Sequence, residues 1–285
     1  VHSAINQTWA NKEIIVIDDC STDKSREILE SLNATYPELK IVFKHKNEGY
    51  PAALNNILRE AKGSFIAFFD DDDLSASDRL EQQYKRITDY EIQHDDNLVL
   101  CYTNRNIIEA NTTTVHHIAY AIGRQPLEPK GQKVVDYIFG YLSHPDYVWG
   151  LFGSCTLMAR KSTYDVIGTF DETFRRCAEW DYAIRAGFKD VAFIAVNKPC
   201  INQYKTKTKD KSGKKPLQYD LLIREKYKQY LKKKNFYIAS KLICHARFSG
   251  SKGRMIKSYT FTVIACFINP INTLRRLFIK VNHGF

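Results

Sequence analysis

Four consecutive carboxylates, Asp70 to Asp73, follow an apolar run that spans residues 64–69. The run is typical of a buried strand, so the carboxylates come at its C-terminal end. Adjacent negative charges repel one another, and a hard divalent cation with oxygen ligands would relieve that repulsion. Such a cation can also hold a phosphate group. The alternative is a solvated acidic loop, but this run ends an apolar strand abruptly and does not lie in a polar region.

A second acidic pair, Asp18-Asp19, ends another predicted strand at residues 13–17. Ligands of open α/β sheets bind outside the carboxyl ends of the strands, so both acidic groups are expected at one edge of a sheet. A nucleotide could lie across them, with one carboxylate accepting hydrogen bonds from the base or ribose and the others holding a metal ion on the diphosphate. A lone Asp-Asp pair is weak evidence, whereas two such groups at neighbouring strand ends favour a nucleotide site.

Strands and helices alternate through the first 200 residues and would position these carboxylates. The predicted strands are 13–17, 39–43, 64–69, 98–102, 115–122, 154–159 and 191–196. The predicted helices include the end of one at 1–9 and further ones at 21–32, 50–61, 79–87, 134–142 and 179–186. Residues 144–153 are expected to form a loop that lines a pocket. The alternation predicts an α/β fold with a mostly parallel sheet flanked by helices.

The charge is distributed unevenly along the chain. The net charge of +10 divides into −7 for residues 1–204 and +17 for residues 205–285, where 20 Lys/Arg stand against 3 Asp/Glu. This asymmetry points to a polyanionic surface as a partner. We therefore divide the chain into an α/β domain, 1–204, and a basic helical C-terminal extension, 205–285.

The C-terminal extension has the pattern of basic amphipathic helices. Ile223, Tyr227, Tyr230 and Leu231 share one helical face, and residues 255–268 form an apolar segment that is too short to span a bilayer. Helices of this type lie on anionic membranes, so we predict contact with a membrane surface. The alternative is a helical cap whose lysines are solvated. Nucleic-acid binding is not predicted, because the sequence contains no recognisable nucleic-acid-binding module.

The seven cysteines are scattered, odd in number and never arranged as Cys-x-x-Cys. This usage argues against a zinc site and a disulfide framework, and it favours a reducing compartment. Together with the basic extension, it predicts a cytoplasmic protein that is peripheral at the inner face of the cell membrane.

A longer set of residues carries a resemblance to a known family. In chain order the set comprises Asn6-Gln7-Thr8-Trp9, residues 13–23, Asn47-Glu48-Gly49, Ala52-Ala53-Leu54-Asn55, Gly63 and Asp70 to Asp73. Over roughly positions 1–200 the sequence resembles the family 2 glycosyltransferases, which have the GT-A fold. The resemblance implies inverting transfer of a sugar from a nucleotide-diphosphate donor with a divalent metal, Mn²⁺ or Mg²⁺. Family members begin with a strand that is not seen before Val1, so we expect the sequence to be N-terminally truncated.

The resemblance also implies roles for individual residues. Asp72 is the expected direct metal ligand, together with Asp70, and Asp73 is expected to brace the loop. Asp19 is expected to contact the nucleotide base. The full set of implied nucleotide-sugar-binding residues is Asp19, Asn47, Gly49, Asp70 and Asp71. Gly153-Ser154-Cys155 and residues 169–172 resemble the acceptor-side loop and the Gly-x-Phe-Asp turn of the family.

An inverting transfer needs a base that takes the proton of the acceptor hydroxyl. In the family this base is an acidic residue that opens a helix, and residues 177–185 match that motif. Counting back from Arg185 sets Glu179 at the base position, where the family more often has Asp. Asp181 is the alternative. Glu179 could instead only favour the helix dipole, and Trp180 fits core packing and an acceptor platform equally well.

The implied function is transfer of a hexosyl or N-acetylhexosaminyl group to a glycan or lipid-linked acceptor, in bacterial surface polysaccharide synthesis. A sugar-phosphate nucleotidyltransferase is one alternative, although the glycine-rich basic phosphate loop that it would usually show early in the chain is not seen. A non-catalytic protein that binds glycans or membranes is the other.

Overall fold

The computed structural model describes residues 1–109, 112–140, 149–205 and 215–274. The chain divides into two compact units, of which the first comprises Val1–Gly131 with Asp146–Thr206 and the second Gln132–Pro145 with Lys207–Phe285. The helix predicted at 134–142 thus belongs to the second unit.

Strands of the first unit form two hydrogen-bonded groups. Their bounds are β1 Ile14–Asp18, β2 Leu39–Phe43, β3 Phe65–Ala67, β4 Asp73–Ser75, β5 Val99–Ile108, β6 Val115–Ala119, β7 Met158–Arg160 and β8 Ala192–Tyr204. Strands β1 and β2 pair in parallel. The larger sheet has the order β3-β7-β5-β8-β4, with β6 paired to β5.

The α/β class is confirmed, but the larger sheet is mixed in strand direction and not mostly parallel. Only β5 and β8 run parallel in it, while β3–β7, β5–β7, β4–β8 and β5–β6 are antiparallel. The alternation of strands and helices correctly predicts the parallel crossover from β1 to β2, whereas β3 joins the larger sheet by antiparallel pairing with β7. Beyond β3, β4 follows after only a short turn, and a parallel crossover needs a dozen residues or more.

Helices of the first unit are α1 His2–Ile5, α2 Ser25–Thr35, α3 Tyr50–Glu60, α4 Arg79–His94, α6 Lys161–Ile167 and α7 Ala178–Phe188. Helix α4 packs on the larger sheet, where Ile87 and Tyr90 join Val99, Cys101 and Ile194 in a buried apolar cluster. The segment predicted as a strand at 154–159 begins instead as a 3-10 turn, Ser154–Thr156, before β7. This turn and the end of β3 carry site residues.

A fully buried arginine lies under the acidic turn. The guanidinium of Arg79 is 0% exposed and donates to the Phe68 carbonyl at 2.9 Å, to the Ser75 hydroxyl at 3.0 Å and to Gln83 Oε1 at 2.9 Å. It also stacks on the Phe69 ring, 4.4 Å from the ring centroid. Arg79 therefore contacts the chain on both sides of the four aspartates, through the Phe68 carbonyl before them and the Ser75 side chain after them.

The side chain of Gln83 extends this network to the 3-10 turn. Its amide nitrogen donates to the Cys101 carbonyl in β5 at 2.8 Å and to the Thr156 carbonyl at 3.0 Å. Buried amides and guanidinium groups need such partners, because an unpaired polar group is costly in the interior. Helix α4 therefore supports both the acidic turn and the turn that carries Ser154.

Replacing Arg79 with methionine should lower the free energy of unfolding by about 3 kcal/mol or more, because the buried Phe68 carbonyl loses its donor. The measurement is urea unfolding followed by circular dichroism. Lys85→Met on the same helix is the control, since Lys85 is exposed and pairs with Asp89 at the surface; its effect should stay within about 0.5 kcal/mol. Equal effects of the two substitutions would contradict the structural role of Arg79.

The second unit is helical in its described part. Its helices are α5 Gln132–Phe139, α8 Lys215–Lys226, α9 Lys228–Lys233, α10 Tyr237–Ser251 and α11 Met255–Ile268, followed by a helical turn at 270–274. Phe139 packs against Tyr227 and Tyr230, with ring centroids 5.8 and 6.1 Å apart. The predicted apolar face is buried at Ile223 and Leu231. Among the described helices, none combines the length and apolar character needed to cross a bilayer.

Parts of three sequence predictions lie outside the described residues. These parts are 141–142 of the predicted helix, 144–148 of the predicted pocket loop, and 206–214 and 275–285 of the basic extension.

Candidate active site

The acidic turn between β3 and β4 carries its four carboxylates at different depths. Asp70 is half-buried, Asp71 and Asp72 are exposed, and Asp73 is buried at the start of β4. Burial, followed by the charges of Asp73, Glu179 and Asp72, raises the pKa of Asp70 to about 7. Burial and the charge of Asp72 also raise the pKa of Asp73. Ionisation of Asp70 and Asp73 is therefore energetically unfavourable in this turn.

Asp70 and Asp73 converge on one point together with Cys155. One carboxylate oxygen of each aspartate and the cysteine sulfur all lie within 4.8 Å of one another. The Oδ1 atom of Asp73 is buried and, among the described residues, has no hydrogen-bond partner. Burial raises the pKa of the Cys155 thiol to about 12, so the sulfur stays protonated and the carboxylates are the hard ligands. Two repelling carboxylates and an unpartnered oxygen fit a divalent cation.

The predicted metal ligands are Asp70 and Asp72, and of these two Asp70 belongs to the group. Asp72 lies outside the group and is exposed, although its charge acts on both Asp70 and Asp73. Asp73, which sequence reasoning expects only to brace the loop, belongs to the group. Its Oδ2 atom accepts a hydrogen bond from Gln203 at 3.3 Å.

The carboxylate of Asp19, which directly follows β1, is held by the backbone just before α3. Its two carboxylate oxygens accept the backbone N–H groups of Glu48 at 2.9 Å and Gly49 at 2.7 Å, while the Asn47 amide donates to the Asp19 carbonyl at 3.1 Å. Gly49 has φ +93°, a conformation that favours glycine. The structure thus brings Asp19, Asn47 and Gly49 together, as the sequence predicts. Each carboxylate oxygen keeps a lone pair for a ligand donor.

A chain of hydroxyl groups joins the acidic turn to α7. The Tyr50 hydroxyl oxygen lies 3.2 Å from Asp70 Oδ1 and also contacts the Ser154 hydroxyl, so its single proton serves one of these two contacts at a time. The Ser154 hydroxyl donates in turn to Glu179 Oε1 at 3.1 Å. Burial, followed by the charges of Asp70 and Glu179, raises the pKa of Tyr50 well above its ordinary value. The phenol therefore stays a hydrogen-bond donor.

The two candidate bases on α7 have different surroundings. Glu179 lies in the first turn of the helix and contacts Ser154, whereas Asp181 is fully buried and pairs with Arg185 at 2.9 Å. Arg185 also donates to the carbonyls of Ile167 at 2.8 Å and Thr169 at 2.7 Å. Asp181 therefore stabilises the turn before α7, and the arrangement favours Glu179 for chemistry.

Trp180 follows Glu179 in α7, and its ring is 5.7 Å from that of Phe152.

Asn55 and Phe170 both belong to motifs quoted for the resemblance, and their contacts are structural. The Asn55 side-chain oxygen accepts the Phe170 N–H at 2.7 Å, and the Asn55 amide donates to the Phe170 carbonyl at 2.9 Å.

Sequence reasoning missed Tyr50 and Arg79 as supports of the site and quoted Ser154 only within a loop motif. The contact between Tyr50 and Ser154 spans 104 positions in the chain. No periodicity or local motif announces such a pair. The one available signal is position, because Tyr50 directly follows Gly49 at the start of α3.

Comparison with known proteins identifies the family. The sequence model described as "Glycosyl transferase family 2" matches residues 1–166. The chain belongs to glycosyl transferase family 2. The predicted resemblance is therefore confirmed.

Relatives in this family match the chain over different lengths. The amylovoran biosynthesis glycosyltransferase AmsB of Erwinia amylovora is 24% identical over 236 residues, which are 81% of this chain and 73% of AmsB. An uncharacterized glycosyltransferase of Haemophilus influenzae is 37% identical over 39% of this chain and 45% of its own length. The putative teichuronic acid biosynthesis glycosyltransferase TuaG of Bacillus subtilis is 39% identical over 29% of this chain and 33% of its own length. The chain thus spans less than half of the latter two relatives.

Solved glycosyltransferase structures share the fold. S. aureus TarS 1-349 in complex with UDP-GlcNAc has a TM-score of 0.60 at 17% identity, covering 95% of this chain and 77% of TarS 1-349. GalNAc-T7 with UDP, GalNAc and Mn²⁺ has a TM-score of 0.58 at 16% identity, covering 85% of this chain and 47% of that chain. The GT-A type fold of this member of family 2 is therefore confirmed.

Proposed function

We propose that this glycosyltransferase moves a hexosyl or N-acetylhexosaminyl group, with inversion, from a nucleotide-diphosphate donor to a glycan or lipid-linked acceptor. The observation that carries the proposal is the hydrogen-bonded chain that joins the acidic turn at Asp70 to Glu179. A donor site and a base on opposite sides of one sugar are what an inverting displacement requires. The names of AmsB and TuaG support a role in bacterial surface polysaccharide synthesis.

Asp70 and Asp73, with Asp72 beside them, would hold a divalent metal, Mn²⁺ or Mg²⁺. A metal bound there supplies positive charge to the leaving diphosphate. Mn²⁺ is present in the GalNAc-T7 structure of similar fold. The buried, unpartnered Asp73 Oδ1 supports this assignment from within the chain.

The side chains of this protein would divide the remaining work. Asp19, fixed by the backbone of residues 48–49, would accept hydrogen bonds from the nucleotide base, and Asp71 would lie on the nucleotide side. Glu179 would take the proton of the acceptor hydroxyl as the hydroxyl oxygen attacks the anomeric carbon. The bond between the anomeric carbon and the diphosphate oxygen would break, and its electron pair would leave with the diphosphate. Tyr50 and Ser154 would orient Asp70 and Glu179 around the bound sugar.

The proposed location is the inner face of the cell membrane, to which the protein would bind peripherally through residues 205–285. Their net charge of +17 suits an anionic surface.

A screen of nucleotide-sugar hydrolysis, with and without Mn²⁺, tests the proposed function. We expect metal-dependent release of nucleoside diphosphate from one class of donor. Donor binding without turnover, or no metal-dependent binding by titration calorimetry, would favour the non-catalytic alternative. Pyrophosphate release from a sugar phosphate and a nucleoside triphosphate would favour the nucleotidyltransferase.

Ser154→Ala should lower kcat by about 10- to 100-fold, since a hydrogen bond to a charged group is worth about 1.5–3 kcal/mol. The KM for the donor should change little, because Ser154 contacts Glu179 and Tyr50 and not the predicted nucleotide-binding residues. The measurement is steady-state transfer with donor and acceptor varied separately. Ser154→Thr keeps the hydroxyl and should restore most of kcat; equal losses in both variants would contradict the orienting role.

A further inference from the structure

Helix α11 of the second unit has polar and small residues on its inner face. The Ser258 hydroxyl donates to the Ala246 carbonyl of α10 at 2.9 Å, and the Phe261 ring lies 5.2 Å from that of His245. Ala265, on the same face, is 0% exposed. The inner side of α11 thus carries Ser258 and the small Ala265 beside one large apolar residue, Phe261.

The outer face of α11 is apolar and exposed. Ile256 and Phe267 are 83% and 84% exposed, and Tyr259 and Val263 lie between them at helical spacing with 64% and 51% exposure. Ile271, beyond the end of the helix, is 63% exposed. An open groove of ≈ 450 Å³, lined by Val263, Cys266, Phe267 and Pro270, follows the same side. The helix therefore presents its apolar side outward, the reverse of an ordinary surface helix.

The charge around this face selects its partner. No acidic residue follows Glu225, whereas residues 226–285 contain 13 Lys/Arg. Lys252, Arg254 and Lys257 are exposed at the beginning of α11. A second copy of this chain on the same face would bring two positive surfaces together, which costs free energy. An anionic lipid bilayer offers both negative headgroups and an apolar interior.

We propose that α11 lies in the plane of an anionic lipid bilayer, with the side of Ile256, Tyr259, Val263 and Phe267 in the acyl region. Its 14 residues make a helix about 21 Å long, which is shorter than the hydrocarbon core of about 30 Å and therefore fits a helix that lies along the interface and does not span it. Lys252, Arg254 and Lys257 then meet the lipid phosphates. This inference rests on the proposed membrane location and adds the face that enters the membrane.

Flotation of the full chain with phosphatidylcholine vesicles, with and without phosphatidylglycerol, tests the proposal. The wild-type chain should float with the anionic vesicles and far less with the neutral ones. The double variant Ile256→Ser/Phe267→Ser should bind the anionic vesicles at least about tenfold more weakly, because two large side chains no longer enter the bilayer. These residues are exposed in the structure, so the fold should tolerate the change.

The matched control is Ile238→Ser/Leu222→Ser, which replaces exposed apolar residues of α10 and α8 in the same unit. It should bind anionic vesicles as the wild type does. Failure of the wild type to float, wild-type flotation by the α11 variant, or an equal loss in the control would each overturn the proposal. The proposal would also be overturned if light scattering showed that the wild type and the control are dimers and that the α11 variant is a monomer. Donor hydrolysis without vesicles reports on the proposed function and should be the same in all three proteins.

Discussion

Glu179→Gln is expected to lower kcat by about 10²–10⁴-fold, the usual contribution of a positioned general base. The amide keeps the size of the carboxylate and can still accept a hydrogen bond from Ser154, but it cannot take a proton. Donor binding should therefore stay close to that of the wild type. The measurement is single-turnover transfer at saturating donor, with donor affinity determined separately by titration calorimetry.

Glu179→Asp retains a carboxylate and should keep part of the activity, with a loss that reflects its shorter reach. Glu38→Gln is the matched control, because Glu38 is exposed and lies outside the site; it should leave kcat unchanged. A Glu179→Gln enzyme with near-normal turnover would show that another group acts as the base.

Asp70→Asn is expected to reduce transfer by at least about 10²-fold and to raise stability in the same protein. Asp70 is the carboxylate that the predicted ligand pair and the observed group with Asp73 and Cys155 have in common. Loss of the Asp70 carboxylate should weaken metal binding. It should thereby reduce the stabilisation of the leaving diphosphate by the metal, and that stabilisation is worth several kcal/mol. The first measurement is a Mn²⁺ titration of activity.

The stability gain follows from the pKa of Asp70, which is raised to about 7 chiefly by burial. A carboxyl group with a higher pKa in the folded chain favours folding most at low pH, and this advantage declines as the pH rises from about 4 to 7. Without metal, Asp70→Asn should therefore stabilise the protein by about 1–3 kcal/mol more at pH 8 than at pH 5.

Urea unfolding in EDTA at the two pH values measures this difference. Asp89→Asn is the control, since Asp89 is exposed and pairs with Lys85 at the surface; it should show no comparable pH dependence. A variant that gains equally at both pH values would contradict the raised pKa of Asp70.

Features that follow from a strand end are the ones that the sequence predicts best. Asp19, Asn47 and Gly49 meet as expected although 28 and 30 positions separate them, because β1 and β2 are parallel neighbours and residues 47–49 come soon after the end of β2. The acidic run at the end of β3 is a local feature of the sequence. The prediction of a strand at 154–159 is less accurate, since a 3-10 turn occupies Ser154–Thr156 and β7 begins only at Met158.

Long-range contacts account for what the sequence alone does not predict. The bond between Tyr50 and Ser154 depends on how α3 and the 3-10 turn meet across the fold. The inclusion of Asp73 with Asp70 depends on the direction in which β4 leaves the acidic turn to pair with β8. The role of Asp181 follows from its burial next to Arg185, and a Glu-x-Asp motif does not reveal which carboxylate is buried.

The buried pair Arg79 and Gln83 has a further consequence for turnover. One helix bonds the carbonyls of both Phe68 and Thr156, so the spacing between the acidic turn and the turn that carries Ser154 is set when the chain folds. The conformational entropy of ordering these two turns is lost once, during folding, and not again in each catalytic cycle. We therefore expect a preorganised reaction centre in which substrate binding adjusts side chains more than backbone.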